Sequence, residues 1–544
     1  MRPRYSSRTP YWRSSGDAPG MGTRTRGTCP LSSPHPKGSI TVAVIFLMVL
    51  FTGLGLAMLH ASGVHMKINA FRRFSALVDC ASENGLKRGL RDFTAWLEGT
   101  GLAAPVTDER VDALRADPVP ALPLLLEEAW GPAFPRVLEE SFDGMTWESR
   151  TDCGFGGLED KDGYLRVAAA LRIESSGGLL RTRSRRLSVL EGALGLLAGR
   201  LPLPSIPLYI RKAMADDEKA RFLEENGIGF RARPGEFVRP GLAASAGGVI
   251  PEDPGALVAK ALTIGVFRPG DLSPAELRQA LGLEPSTDPV PDGVYLIETD
   301  LGLGGVFVQG DLDEMILATS GDAQVVVFRA GGDAWRLEFS PARSRTSFET
   351  PERSFRYDVV PLPILLVNGA VASLGGGAVG PDGRVELVYD GETPAVLNGV
   401  DLTIVSADRV TISTDLILEG VRWRDGVPYA KGSGAQLVIY AAGQDLASGA
   451  AVEGGIAVAE GAPADLKIQG SLTAAAGGFR IEGEAKTVEL LGALHADSYE
   501  GNGSALTVVR DDRAAAGDFP ANAPVTASPQ LAAYSFKVLA WKEY

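Results

Sequence analysis

The chain has 544 residues, 45% of them hydrophobic and 22% charged, which excludes wholesale disorder and allows about two to four domains of ordinary size. Its net charge of −14 is unevenly spread: residues 1–38 carry seven Lys or Arg against one Asp, leaving 46 bases and 66 acids in the remainder. A body so acidic lacks the concentrated basic surface that phosphate binding needs, so nucleic acid is excluded as a partner.

From Ser39 to His60 there are 22 uncharged and mostly apolar residues, enough for a helix to cross a hydrocarbon core about 30 Å thick. The run is longer than the apolar core of a secretory signal, although Ala61–Gly63 satisfies the small-residue rule for cleavage there. The basic flank ending at Lys37 predicts a cytoplasmic N-terminus and an exported body. Beyond the run, Val64, Ile68, Phe71, Phe74, Val78 and Ala81, then Leu86, Leu90, Phe93 and Leu97, recur at steps of three and four with one slip between Ala81 and Leu86. That spacing predicts one helix over 39–98, apolar in its first half and amphipathic in its second.

"KGSITVAVIFLMVLFTGLGLAMLHASG", running into this amphipathic stretch, resembles the N-terminal region of PilX-type minor type IV pilins and type II secretion pseudopilins. The resemblance covers about 60 residues. It implies cleavage by a prepilin peptidase after Gly38, with Ser39 as the mature N-terminus, and packing of Ser39–Met66 among other pilin or pseudopilin subunits. Ala43 stands where pilins usually carry a glutamate at the fifth mature position, which favours a minor or tip role over the filament shaft. The 38-residue leader is long for the family, and a start at Met21 gives one of 18.

Residues 99–290 read as a mixed helix and strand region. "ALPLLLEEAWGPAFPRVLEESF" and "KAMADDEKARFLEENG" are expected helices; "GYLRVAAALRIES" and "LLRTRSRRLSVL" are expected strands. "LSPAELRQALGL" opens with Ser273 as N-cap and Pro274 at the first helical position. "ARPGEFVRPGLAASAGGVIPEDPG" is rich in turn formers and reads as a surface excursion.

Residues 291–544 are expected to be β-rich. The pattern apolar-x-apolar-x-Gly-x-apolar recurs as "VFVQGDL", "LLVNGAV", "LKIQGSL" and "VELLGAL", each read as a strand closed by a glycine corner. Gly470 and Gly492 are 22 residues apart, near one coil of a β-solenoid, whereas Gly310, Gly369 and Gly470 are separated by 59 and 101. "LTIVSADRVTISTDLIL" adds two strands around a corner at Ser406–Asp408. The fold class expected is α+β: a long transmembrane and amphipathic helix, a mixed middle, and a β-solenoid-like C-terminal region with a β-sandwich as the alternative. This region resembles uncharacterised β-rich modules behind PilX-type N-termini, a likeness that implies no function.

Chemistry is sparse. His35 lies in the leader and His60 and His65 at the exit of the apolar helix, so a catalytic triad would need His495, which reads instead as a surface or satisfied histidine. Cys29, Cys80 and Cys153 form no metal-ligand spacing, and no cofactor is expected. Cys80 and Cys153 lie on the same side of the apolar run and are a candidate disulfide, with two free thiols as the alternative. Asp311, Asp313 and Glu314 in "GDLDE" read as a solvated acidic turn, with a Ca²⁺-holding loop as the alternative, "SLGGGAVGPDG" reads as a flexible corner, and Trp423 and Tyr429 are candidates for strand packing or a sugar-binding groove. The expected function is a non-catalytic, single-pass inner-membrane pilin-like subunit whose partners are the lipid bilayer, other subunits and a prepilin peptidase. The alternative is an anchored carbohydrate-binding protein or carboxylate-dependent polysaccharide hydrolase.

Overall fold

The computed structural model describes residues 39–98, 103–131, 137–142, 145–161, 163–179, 185–231, 241–244, 249–251, 254–263, 273–299, 302–424, 427–430 and 432–544. The leader, 1–38, therefore lies outside the described residues. The chain divides into two units, one reaching Phe74 and one from Ser75 onward.

Helix α1 runs unbroken over Ser39–Glu98, as the periodicity predicts. In the first unit its apolar side chains are exposed, Phe46 at 69% and Leu59 at 72%. In the second unit Val78, Ala81, Leu86, Phe93, Trp96 and Leu97 are buried. The slip in the stripe has a physical cause. Buried Ser82 and Gly85 fill it, and Gly85 and Gly89 are where the helix meets the sheet beneath. A Cβ on Gly85 would lie 2.2 Å from Ser175 Oγ, and one on Gly89 would lie 2.3 Å from Ser149 Oγ. From the sheet side, a Cβ on Gly177 would lie 2.2 Å from the Ser82 backbone nitrogen.

That sheet is antiparallel. Strands β2 (Val137–Phe142), β3 (Met145–Lys161), β4 (Tyr164–Leu179) and β5 (Arg185–Gly199) follow one another, and a closing strand, Gln530–Glu543, lies against β5 with the short β1 (Ala104–Pro105) outside it. Helices α2 (Asp108–Ala116) and α3 (Pro118–Trp130) complete the core, where Trp96 meets Trp130 edge-on at 4.8 Å and Phe93 meets Phe536 at 5.3 Å. Two expectations need correction. The stretch from Ala121 to Phe142 is not one helix: α3 ends at Gly131, with φ +38°, and the sequence after Pro132 and Pro135 becomes β2. "LLRTRSRRLSVL" contains the end of β4 and the start of β5 rather than a single strand, because Gly178 pairs back onto Arg185.

Between Gly199 and Gln530 the chain builds the β-rich body. One row of strands, Gly302–Gln309, Ile364–Asn368, Asp401–Ser406, Gln436–Ala441, Asp465–Ala474, Thr487–Ala496 and Ala505–Val509, pairs in parallel from each to the next. A second parallel row contains Glu314–Ser320, Val371–Val379, Val410–Ile412, Ile456–Val458, Phe479–Ile481 and Tyr499–Glu500. Successive register partners stack like on like: Leu466 on Val488 on Leu506, and Ile468 on Leu490 on Val508. All six are fully buried, and each contributes about 1.5–3 kcal/mol of apolar burial.

The 22-residue interval is real, since Gly470 is the register partner of Gly492. The 59-residue interval is equally a single step, Val306 pairing with Leu365, and it is long because an antiparallel meander over Ala323–Tyr357 is interposed. The glycine-corner expectation holds at Gly310, with φ +91°, and fails at Gly470 and Gly492, which lie inside ten-residue strands. There glycine allows backbones to approach: a Cβ on Gly492 would lie 2.0 Å from the Gly470 carbonyl oxygen. "SLGGGAVGPDG" is likewise no flexible corner at its start. Gly375, Gly376 and Gly377 are strand residues, and a Cβ on Gly376 would lie 2.4 Å from the Asp415 carbonyl oxygen.

Short helices α4 (Asp216–Glu225), α5 (Gly255–Leu262) and α6 (Pro274–Ala280) lie along the body. α4 and α6 fall where the sequence places them, and Ser273 and Glu276 form the N-terminal capping box of α6. In the turn-rich excursion, Leu242–Ala244 pairs as a short strand; residues 232–240, 245–248 and 252–253 lie outside the described residues.

Candidate functional site

The candidate site with the clearest physical character is the first half of α1. It is long and apolar enough to cross a membrane, and the described residues contain one such helix. Among the described side chains up to His60 nothing is charged, and the Thr52 hydroxyl donates to the Met48 carbonyl oxygen at 2.7 Å, so its polar group is satisfied within the helix. Gly53, Gly55 and Gly63 have nothing within 4 Å of an added Cβ, so their faces are open. The described residues begin at Ser39, already helical, and Gly38 lies outside them.

The proposed Cys80–Cys153 bridge is not formed; both thiols are free. Cys80 is exposed on α1, whereas Cys153 on β3 packs against the apolar core opposite Leu171. Burial pushes the Cys153 thiol up to about 12, so it is held as the neutral, unreactive form.

His495 has the character expected of a structural histidine. It is fully buried, Nε2 lies 2.8 Å from the Ile206 carbonyl oxygen, and Nδ1 lies 3.2 Å from Oγ1 of its register neighbour Thr473. Nε2–H donates to the carbonyl and Nδ1 accepts from the hydroxyl, which fixes a neutral tautomer. Burial lowers its pKa to about 4.

The acidic turn is also accounted for by the fold. Asp311 Oδ1 accepts from Ala370 N at 2.8 Å, Asp313 Oδ2 accepts from Gly331 N at 2.8 Å, and Glu314 pairs with Arg329. Among the described residues no group of His, Cys, Asp or Glu has the arrangement of a metal site. Tyr429 is half-buried against Ala430, Leu491 and Val509, on a hairpin where Arg422 pairs with it; the Trp423 side chain lies outside the described residues.

Sequence periodicity gave no sign of a charged row on the flank of the body. Asp415 Oδ1 accepts from Lys467 N at 2.8 Å, Lys467 is the register partner of Glu489, and Glu489 Oε2 lies 3.2 Å from Arg231 Nη1. Burial holds both carboxyls above the ordinary range despite the nearby cations. Only parallel pairing brings positions 231, 415, 467 and 489 together, so no local spacing could have revealed them. A second cluster joins Arg513 to Asp511 at 2.6 Å beside a cavity of about 20 Å³ that Ser471 also lines. That volume holds a water molecule and no sugar ring.

No protein-family model, no curated protein and no solved structure matches the chain.

Proposed function

We propose that the protein is a non-catalytic minor pilin-like or pseudopilin-like subunit of a type IV pilus or type II secretion-type assembly. It is inserted as a single-pass inner-membrane precursor with a cytoplasmic N-terminus, cleaved after Gly38, and left displaying the chain from Ser75 outside. The observation that carries this reading is the division of labour along α1: one 60-residue helix starting at Ser39, apolar and exposed first, then seated through Gly85 and Gly89 on an antiparallel sheet. A simple anchor has no need to continue as the structural spine of the exported unit. Within this reading the body is a β-solenoid, supported by two parallel rows whose last register steps shorten to 22 and 18 residues in the first and 23 and 20 in the second, and its role is display rather than chemistry. Partners are the bilayer, the helices of other subunits and a prepilin peptidase. Cysteines placed along Val42–Leu59 test the assembly. Crosslinks to other pilin-like subunits are expected, and uniform lipid exposure with no crosslink in an intact assembly sinks the reading.

Buried Asp415 and part-exposed Glu489, two carboxyls beside Lys467, favour one second reading, a carboxylate-dependent polysaccharide hydrolase or sugar-binding surface. Polysaccharide hydrolysis abolished by Glu489→Gln would establish it and displace the non-catalytic one.

A further inference from the structure

We infer that Lys260 and Asn522 are the two ends of an intramolecular isopeptide bond, formed with loss of ammonia beside the carboxyl of Asp401. The three side chains come from separate parts of the body. Lys260 lies in the last turn of α5, Asp401 opens the strand Asp401–Ser406, and Asn522 belongs to the connection that returns to the closing strand.

The geometry is that of an amine held against an amide. Lys260 Nζ donates to Asn522 Oδ1 at 2.5 Å, across 262 positions of chain. A carbonyl bond is about 1.2 Å long, so Nζ is at most about 3.7 Å from Cγ, the atom it attacks. Asn522 is 6% exposed, and its backbone is pinned in place. Ala521 N donates to Asp401 Oδ2, and the Asn522 carbonyl oxygen accepts from Thr403 Oγ1 at 3.4 Å. Asp401 and Thr403 stand two apart on one strand and so share a face. Holding the two groups together makes their reaction unimolecular, with effective molarities on the order of 10⁵–10⁸ M in well-oriented cases.

Asp401 handles the proton. Its Oδ1 is buried and has no hydrogen-bond partner among the described residues. Burial holds the carboxyl above its ordinary range, with Arg513 and Lys260 opposing the effect and Asp518 adding to it. A carboxyl so placed takes one proton from the Lys260 ammonium and leaves a neutral amine. The Nζ–Cγ bond then forms and the Cγ–Nδ2 bond breaks. Nδ2 departs as ammonium, having received one proton from Asp401 and one from Nζ. Asp401 ends as the carboxylate it began as, and nothing is oxidised or reduced. The bond forms once, so a single turnover is enough. It closes a loop that contains both parallel rows, from Gly302–Gln309 to Ala505–Val509, and keeps the body covalently tied even when unfolded.

The full chain is purified in detergent and its tryptic peptides are weighed. Trypsin is expected to leave Lys260 uncut, within a branched peptide that carries positions 260 and 522 and has lost one ammonia. Lys260→Arg and Asn522→Ala should each return two separate linear peptides and change the migration of the chain on a denaturing gel. Asp401→Asn, nearly isosteric, should give the same linear peptides from a chain with unchanged β-sheet circular dichroism. Linear peptides cut at Lys260 in the unaltered chain overturn the inference and leave a hydrogen bond only. A branched peptide formed to the same extent in Asp401→Asn also overturns it, because the carboxyl then takes no part in the reaction.

Discussion

Gly199 and Gln530 are register partners on adjacent strands although 331 positions separate them in the chain. The sheet that carries α1 is therefore continuous across a very large insertion, and its main apolar cluster among the described residues draws on 86–198 and 531–536, with a small second cluster in which Leu197 and Ala532 meet Leu201 of the insertion. Most of the apolar set of the sheet is its own, with this small shared cluster at the junction, and a core of its own is the condition for a separable folding unit.

Replacing residues 200–529 with a two-residue Asn-Gly turn should leave a folded unit. Strand ends that already face each other need only a hairpin connection, and loop-closure entropy favours the shorter link. A fragment starting at Ser75 with this replacement is expected to melt in one cooperative transition with a β-sheet circular dichroism spectrum. A non-cooperative melt would show that the body is needed to hold the sheet.

Gly85→Leu and Gly89→Leu should each loosen the seat of α1 by about 1–3 kcal/mol, the usual cost of overpacking a filled contact. Gly53→Ala is the control. Its Cβ meets nothing, and helix propensity alone predicts a gain of up to about 1 kcal/mol. Denaturant midpoints of the fragment from Ser75 measure the first pair, and helicity in detergent measures the control. Unchanged midpoints for both leucine variants would mean the helix is not seated as described.

These glycines also show where sequence patterning stops being informative. Val78, Ala81, Leu86, Phe93 and Leu97 announced a buried stripe because helical period is local. The reason for the slip after Ala81 is a sheet surface that local period does not encode. In the body, alternation in "LKIQGSL" and "VELLGAL" identified strands and their 22-residue step for the same local reason. Their glycines look like corners in the sequence, because the close approach of Gly470 and Gly492 exists only once two distant strands pair. The charged row through Asp415, Lys467, Glu489 and Arg231 was invisible for that reason too.

His495 should make stability depend on pH in the mildly acidic range. Its pKa is about 4 in the fold against the ordinary 6.5 of an imidazole, so the unfolded chain binds the extra proton between those limits. A depressed folded value means the contribution is fully present above about pH 6.5 and is lost progressively as pH falls toward 4. The ceiling is about 3 kcal/mol, from 1.36 kcal/mol for each pH unit of difference. Urea midpoints between pH 7.5 and 4.5 should fall, and His495→Gln should be less stable at pH 7.5 but flatter over this interval. Equal slopes for the two proteins would assign the acid sensitivity to groups other than His495.

Processing at Gly38 separates a pilin from an anchor most sharply. Lys37 ends the charged segment and the uncharged, mostly apolar run begins beside it, so the junction falls where the cytoplasmic face of the membrane should be. A glycine there has no side chain to obstruct a protease. A plain anchor has no use for this junction, and many residues would serve it equally. Signal peptidase would instead act on the far side, after Gly63, and release the chain from Val64 onward. Three readings thus leave three N-termini: the original start, Ser39 or Val64. Coexpression with a prepilin peptidase followed by N-terminal sequencing should return Ser39, and Gly38→Leu should block processing while membrane insertion persists. A mature chain starting at Val64 contradicts the continuous spine that α1 forms from Ser39 to Glu98, and processing indifferent to Gly38 removes the peptidase from the account.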